Sequence, residues 1–337
     1  MSLSVSAALT PAVRALAARA GLYKMPCERS VHDVPVPTMG GLAIFAGFAA
    51  SCALFVKGKE IQLAPVLAGC FLALILGAVD DLRGLSPRAK LAGQIAIGTI
   101  AWLMGISIDF ITRPGGGLIL LGWLSYPVTV LWIVAIMNVI NLIDGLDGLA
   151  AGITAIACFA LMVIDIMAGQ AHAVIMTASL AGCTLGFLPY NFNPARIFMG
   201  DAGSMFLGFA LAAISVEGTL KSATATALAV PIMVLGVPIL DTGFAVVRRI
   251  VSGRPISEAD KCHIHHQLLQ KGFSQRGAVL TLYAVSLVLS VGAVIVFRSS
   301  FLKGALLAGC LSGSLIIGAS KAGILELTAG NPKKREP

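Results

Sequence analysis

Val128-Thr-Val-Leu-Trp-Ile-Val-Ala-Ile-Met-Asn138-Val-Ile-Asn141-Leu-Ile-Asp144-Gly-Leu-Asp147-Gly148 runs from a stretch made for lipid or a protein core into four polar side chains and two glycines. The apolar part closes a run over 119–138, and about 20 such residues cross a membrane as one helix. The polar part recurs every three residues. On a helix that spacing keeps Asn138, Asn141 and Asp144 on one slowly drifting face. Gly145 and Gly148 let the backbone turn closely around a ligand. A capped loop between two spans also uses Asn, Asp and Gly. Four such side chains at a membrane edge all need partners, however, and that favours a built site.

The rest of the chain supports a membrane reading. Of 337 residues, 57% are hydrophobic and only 12% are charged. The mean hydropathy is +0.91, and a water-soluble domain does not keep so few charges. The expected fold is all-α, a polytopic bundle forming one membrane-embedded domain over 1–337. The 37 glycines suit helices that pack closely in lipid. A net charge of +8 speaks for cytoplasmic loops, anionic lipid and phosphorylated substrates. Its dispersal among the spans argues against nucleic acid as a partner. Cys27, Cys52, Cys70, Cys158, Cys183, Cys262 and Cys310 contain no Cys-x-x-Cys pair and fall mostly in apolar runs. They read as small core residues, not disulfides or metal ligands. Arg14 and Arg19 interrupt the N-terminal apolar run, so no cleavable signal peptide is expected.

Candidate spans lie near 3–20, 40–56, 62–80, 91–108, 119–138, 149–168, 172–190, 203–216, 225–247, 277–297 and 301–320. That makes about 10–11 transmembrane helices. The first contains Thr10, Pro11 and two arginines, and it departs furthest from the pattern. Counting along these runs puts five polar stretches on one side: Pro37-Thr-Met-Gly-Gly41, Asp80-Asp81, Asn138–Asp147, Asn191–Asp201 and Arg248–Arg276. Lys and Arg favour the same odd-numbered loops by twelve to six. By the positive-inside rule that side is cytoplasmic, and an active site is expected there. Residues 248–276 form the longest polar insert, expected to be a long cytoplasmic loop.

Asp80 and Asp81 end a span as adjacent carboxylates, which repel one another and are costly to desolvate. A divalent cation or a shared proton relieves that cost. A solvated helix end beside Arg83 and Arg88 is the plainer alternative, disfavoured because an acid opposes the dipole at a helix C-terminus. Lys90 follows Ser86-Pro87-Arg88 and reads either as a phosphate clamp or as a topological anchor. In Asn191-Phe-Asn-Pro-Ala-Arg196-Ile-Phe-Met-Gly200-Asp201-Ala-Gly-Ser204, Asp201 sits at a helix N-cap position. It equally suits Mg²⁺, which takes oxygen ligands and keeps phosphate and water in its shell. Arg196 is a substrate-binding candidate in the same stretch. His263-Ile-His265-His266 gathers three of the five histidines. With Cys262 beside them a zinc site is the rival, but the ligands are contiguous and their neighbours basic, which suits an anion better. Asp241 lies inside a span, where a structural hydrogen bond and a substrate role are equally open.

A metal-bound, multiply anionic ligand approached by lipid fits this set, and phosphoryl-type transfer is the implied chemistry. The motifs, in order, resemble those of the polyprenyl-phosphate N-acetylaminosugar-1-phosphate transferases, glycosyltransferase family 4. The resemblance rests on Pro26-x-x-Arg29-x-x-His32, Asp80-Asp81, Asn138-x-x-Asn141-x-x-Asp144-Gly-Leu-Asp147-Gly, Gly200-Asp201-x-Gly-Ser and His263-Ile-His-His. It implies a multi-pass enzyme of the bacterial cytoplasmic membrane. Such an enzyme moves a sugar 1-phosphate from a UDP-N-acetylaminosugar to undecaprenyl phosphate, with Mg²⁺ or substituting Mn²⁺, and releases UMP. By resemblance Asp201, with Asp81, holds the metal. Asp80 or Asp81 orients or deprotonates the lipid phosphate, and Asp144 is a further catalytic candidate. Asn138, Asn141 and Asp147 shape the nucleotide-metal site, Lys90 meets phosphate, and His263, His265 and His266 engage the donor. The His-Ile-His-His form resembles the branch that uses UDP-GlcNAc to start O-antigen, common-antigen or teichoic acid synthesis. Pro37-Thr-Met-Gly-Gly41 also occurs in the peptidoglycan branch, whose donor is UDP-MurNAc-pentapeptide. A homodimer is compatible with such a bundle. A transporter would carry its carboxylates at the bilayer midplane, and a zinc or lipid scaffold would lack turnover.

Overall fold

The computed structural model describes residues 1–25, 34–56, 63–113, 117–220, 228–251, 253 and 263–321. Pro26-x-x-Arg29-x-x-His32, Cys27 and Cys262 lie outside them. Helices cover each of the eleven expected runs: α1 (Ser2–Arg19), α2 (Gly41–Phe55), α3 (Leu63–Arg83), α4 (Pro87–Leu103), α5 (Ser125–Ile143), α6 (Leu149–Met167), α7 (Ala171–Asn191), α8 (Gly200–Glu217), α9 (Ala229–Val234) with α10 (Gly236–Val251), α12 (Gln275–Arg298) and α13 (Phe301–Lys321). A short α11 (Ile264–Gln270) lies between α10 and α12. Among the described residues there are also two small hairpins, β1 (Tyr23–Lys24) with β2 (Val36–Pro37) and β3 (Phe110–Thr112) with β4 (Leu118–Leu120), and a 3₁₀ turn (Gly122–Leu124) that leads into α5. Among the described residues five helices are long and apolar enough to cross a membrane: Leu63–Arg83, Gly122–Ile143, Leu149–Met167, Ala171–Asn191 and Gln275–Arg298. Gly41–Phe55 and Leu302–Gly318 are apolar but shorter. The chain is a polytopic helical bundle.

Local chemistry moves several boundaries from their expected places. α4 starts at Pro87, ahead of the apolar run, because the Ser86 hydroxyl accepts the Ala89 N–H at 3.3 Å and proline suits the first helical position. It stops where Gly105 turns left-handed at φ 98°. The span expected over 225–247 is two helices. Pro231 and Pro238 lie near their starts, and each removes a backbone donor and crowds the preceding turn. The stretch 248–276 is not all loop, since α10 continues to Val251 and α11 carries His265 and His266.

α8 is the hub. Every side chain from Ala202 to Glu217 is buried, and α3, α5 and α2 pack around it. Glycines set these distances. Gly77 of α3 lies on the Asp201–Ala202 backbone, Gly41 of α2 on Gly203, and Gly208 of α8 on Met137 of α5. Apolar tails compete equally with apolar side chains in a bilayer, so close backbone approach replaces hydrophobic drive. α1, despite its internal Pro11, packs on α2 and α7, where Gly47 and Gly186 meet the carbonyls of Ser2 and Leu3. Gly77→Ala should therefore push α3 off α8 and cost about 1–3 kcal/mol. A lowered thermal midpoint in detergent checks this, and an unchanged midpoint contradicts it.

Candidate active site

The ends of α3, α4, α5 and α8 meet, and they bring four expected residues into one network. The Lys90 ammonium lies 2.7 Å from Asp80 Oδ2, 3.0 Å from Asn141 Oδ1 and 3.5 Å from Asp201 Oδ1. Asn141 in turn donates to Asp201 Oδ1 and, at 2.8 Å, to the Ser204 hydroxyl. Asp80 also accepts the Leu85 N–H at 2.7 Å, which closes the turn after α3. Lys90 thus joins three oxygens from three helices and is no mere topological anchor. Asp80 is nearly enclosed, with 9% of its side chain exposed, whereas Asp201 keeps 35% open. Asp201 is therefore the more open of the two carboxylates of this network.

The N-cap reading of Asp201 needs correction. Asp201 stands inside the first turn of α8, and the cap comes from another helix. Asp81 on α3 accepts the N–H groups of Asp201 at 2.9 Å and Ala202 at 3.0 Å. An acid at the end of its own helix is thus an acid at the start of another, where the dipole favours it. Gly200, at φ 74°, makes this approach possible: a Cβ there would overlap Asp81 Oδ2 and lie 2.7 Å from Thr38 Oγ1. Thr38 is held beside it because Pro37 O accepts the Phe198 N–H at 2.8 Å and Gly40 N–H donates to Phe198 O at 2.9 Å.

Asn138 and Asp147 go elsewhere. Asn138 exchanges amide hydrogen bonds with the buried Gln94 of α4, at 2.7 and 3.3 Å, one turn short of the network. Asp147 accepts from the Asn193 amide at 3.1 Å and the Ala195 N–H at 3.0 Å, tying the α5–α6 turn to the segment before α8. Arg196 is exposed on that segment. Asp144 caps α5 and is part-buried. Its carboxyl is pushed up to about 8, chiefly by burial, with Lys24 opposing the rise and Asp201, Asp81 and Asp147 contributing to it. Sequence reasoning assigned Lys24 no role beyond topology, yet its ammonium bears on both Asp81 and Asp144. Gln94 was also missed. Its spacing of four from Lys90 was the available signal, since it puts both on one face of α4.

The histidine motif docks against this centre. Asp241 of α10 faces His263 Nδ1 at 3.0 Å and accepts the Ile264 N–H at 2.8 Å, so a structural bond claims this carboxylate. His263 and His265 stack with ring centroids 5.7 Å apart. His265 lies on Gly145, where any Cβ would strike its Nε2. His266 leans on His265 at 4.3 Å between centroids. Among the described residues no three His, Cys, Asp or Glu side chains are placed to hold a metal by themselves. Cys262, part of the zinc alternative, lies outside the described residues. The carboxylate oxygens gathered here are of the kind a hard divalent cation takes, with phosphate and water in the rest of its shell.

The glycosyl transferase family 4 model matches residues 63–219, from the start of α3 to the end of α8. A Bacillus subtilis protein described as a probable undecaprenyl-phosphate N-acetylglucosaminyl 1-phosphate transferase is 41% identical, over 85% of this chain and 80% of its own length. The chain belongs to glycosyl transferase family 4. Within the family it is also similar to the decaprenyl-phosphate N-acetylglucosaminephosphotransferase of Mycolicibacterium smegmatis, at 38% identity over 83% of this chain and 77% of the relative. A phospho-N-acetylmuramoyl-pentapeptide-transferase of Moorella thermoacetica is 35% identical over 76% of this chain and 82% of the relative. Of the motifs that carried the resemblance, Asp80-Asp81, Asn138–Asp147 and Gly200-Asp201 lie within the matched residues, and those at Pro26–His32 and His263–His266 lie outside them. The matched region holds Asp80, Asp81, Lys90, Asn141, Asp144 and Asp201.

Two outcomes follow for this family member. Gly145→Ala should displace His265 and lower turnover at least about tenfold while the protein still inserts, since small misplacements near reacting groups are costly. Unchanged turnover would separate the histidines from the site. Burial pushes His265 down to about 3 from its ordinary 6.5, with His266 adding to the depression. The folded chain therefore keeps it neutral while the unfolded chain protonates it, so stability falls as pH drops from 6.5 towards 3. Thermal unfolding against pH should show this loss, and His265→Gln should flatten it.

Proposed function

We propose that this membrane transferase moves N-acetylglucosamine 1-phosphate from UDP-GlcNAc to undecaprenyl phosphate, releasing UMP. Sugar-phosphate transfer to a polyprenyl phosphate is the family's reaction class. Support for GlcNAc comes from the relatives named for it, which are more similar to this chain than those named for the muramoyl-pentapeptide. The observation that carries the reading is the network of Lys90, Asp80, Asn141 and Asp201 at the start of α8. It sets a cation and several carboxylates where two phosphorylated substrates must meet, and a lipid can approach between helices.

The residues divide the work by chemistry. The acceptor phosphate attacks the sugar-bearing phosphorus of the donor, and the bond to UMP breaks. Lys90 supplies positive charge against the phosphate oxygens, and Asp80 holds its ammonium in place. Asp80, Asp81 or Asp144 takes the proton or orients the acceptor. Asp81 also fixes the first turn of α8, so its loss costs geometry as well as charge. Mg²⁺, when bound through Asp201 and its neighbouring carboxylates, would neutralise phosphate charge and favour departure of UMP. The Lys/Arg bias of the odd-numbered loops supports a site on the cytoplasmic side of a bacterial inner membrane.

Purified protein supplied with undecaprenyl phosphate, Mg²⁺ and sugar-labelled UDP-GlcNAc should pass label into lipid and release UMP. Asp201→Asn should lower the rate at least about 100-fold without preventing insertion. UDP as the co-product, or wild-type turnover in the variant, would overturn the reading. Transfer only from UDP-MurNAc-pentapeptide would move the chain to the peptidoglycan branch.

A further inference from the structure

At the end of the bundle opposite the network, α4 and α5 are joined by residues 104–124, which include the β3–β4 hairpin. Its strands pair Phe110 with Leu120, Ile111 with Ile119 and Thr112 with Leu118. Its surface is the reverse of a water-facing loop. Leu118, Ile119, Leu120, Trp123 and Leu124 are all exposed, Trp123 by 81% and Leu120 by 76%. Leu103 and Met104, at the end of α4, extend the same exposed apolar patch. A lone two-stranded hairpin is marginal in water, and an apolar edge of this kind invites aggregation. Something must cover it.

We infer that this hairpin lies in the interfacial zone of the leaflet opposite the active site and fixes the depth of α5 in the bilayer. Three observations favour lipid over a protein partner. The patch is continuous in the chain with a helical segment long and apolar enough to cross, which runs from Gly122 to Ile143 and so includes Trp123 and Leu124. Trp123, Tyr126 and Trp102 collect at this level, as amphipathic rings do at a membrane–water boundary. Trp102 and Tyr126 meet edge to face at 5.2 Å, and Trp102 donates to the Ser125 hydroxyl at 3.2 Å. Finally, the hairpin has open strand edges, which hydrocarbon cannot satisfy but headgroups and interfacial water can.

The root of the hairpin is fastened to α5, so its depth is passed to that helix. The Ser125 hydroxyl donates to Asp109 Oδ1 at 2.9 Å and the Ser107 hydroxyl to Oδ2 at 2.8 Å. Thr129 Oγ1 accepts the Ile108 N–H at 2.9 Å, and Leu121 N–H donates to Asp109 O at 2.9 Å. Asn141 and Asp144 stand at the other end of α5. An anchor at one end therefore sets the level at which the site's amide and carboxylate stand at the other.

Trp123 reports directly on this placement. In nanodiscs, the fluorescence of a Trp102→Phe/Trp132→Phe protein, which leaves Trp123 alone, is measured with three quenchers: a nitroxide near the lipid headgroup, one at the end of the acyl chain, and aqueous iodide. If that variant does not fold, the difference between the natural chain and Trp123→Phe supplies the same signal. Quenching at least about twofold stronger by the headgroup-proximal nitroxide than by either other quencher is expected for an interfacial ring. Iodide quenching close to that of free indole would mean that the hairpin stands in water. Protection from all three would mean that protein covers it. Either outcome overturns the inference, and neither depends on the activity of the site.

Discussion

Backbone N–H groups at the start of a helix need acceptors, and at a membrane edge water cannot be relied on to provide them. The first turn of α8 meets this need through Asp81, which reaches from α3 to the N–H groups of Asp201 and Ala202. Much else depends on that contact. It requires α3 and α8 to touch along their backbones, which Gly77 allows. It requires Gly200 to turn left-handed beneath the carboxylate. It also directs Asp201 outward, so that Lys90 and Asn141 can gather around one of its oxygens while much of the side chain stays open. The site is thus built on a helix junction, with the charge of one helix end stabilising the other.

The paired acids divide into two jobs because their surroundings differ. Asp80 and Asp81 are adjacent in sequence, but successive residues on a helix point about 100° apart. One faces Lys90 on α4 and the other faces α8. Their mutual repulsion is met by a cation on one side and a helix dipole on the other. The same logic separates the amides of α5. Asn138 lies a turn below Asn141 and meets Gln94, so it joins α5 to α4 rather than serving the network. Asp147 lies beyond the helix end and secures the turn.

Repeated polar side chains at a membrane edge were legible as a site because nothing else in such a chain accounts for them. Their division of labour was not legible. Spacing by three said that Asn138, Asn141 and Asp144 share a face, but not which neighbour each meets. Lys90 fitted either a phosphate clamp or an anchor in the sequence, and only the adjacency of α4 to α3 and α5 brings it to Asp80 and Asn141. Lys24 carried no signal, since its motif neighbours lie along the chain while Asp81 and Asp144 lie across the bundle. The same limit applied to the span over 225–247, which hydrophobicity presents as one run and which the structure divides into two helices, each with a proline near its start.

By itself, the sequence determined that the chain crosses a membrane repeatedly, roughly where each helix lies, and that its chemistry gathers at one end. Hydrophobicity and helical periodicity are local quantities, and lipid enforces them strictly because every backbone group must be satisfied within its own segment. Only the tertiary structure decided that Asp81 caps α8, that Lys90 bridges Asp80, Asn141 and Asp201, and that His265 rests on Gly145. Those contacts join residues far apart in the chain. They arise from which helices lie adjacent and how closely glycine lets them approach, which no local pattern encodes.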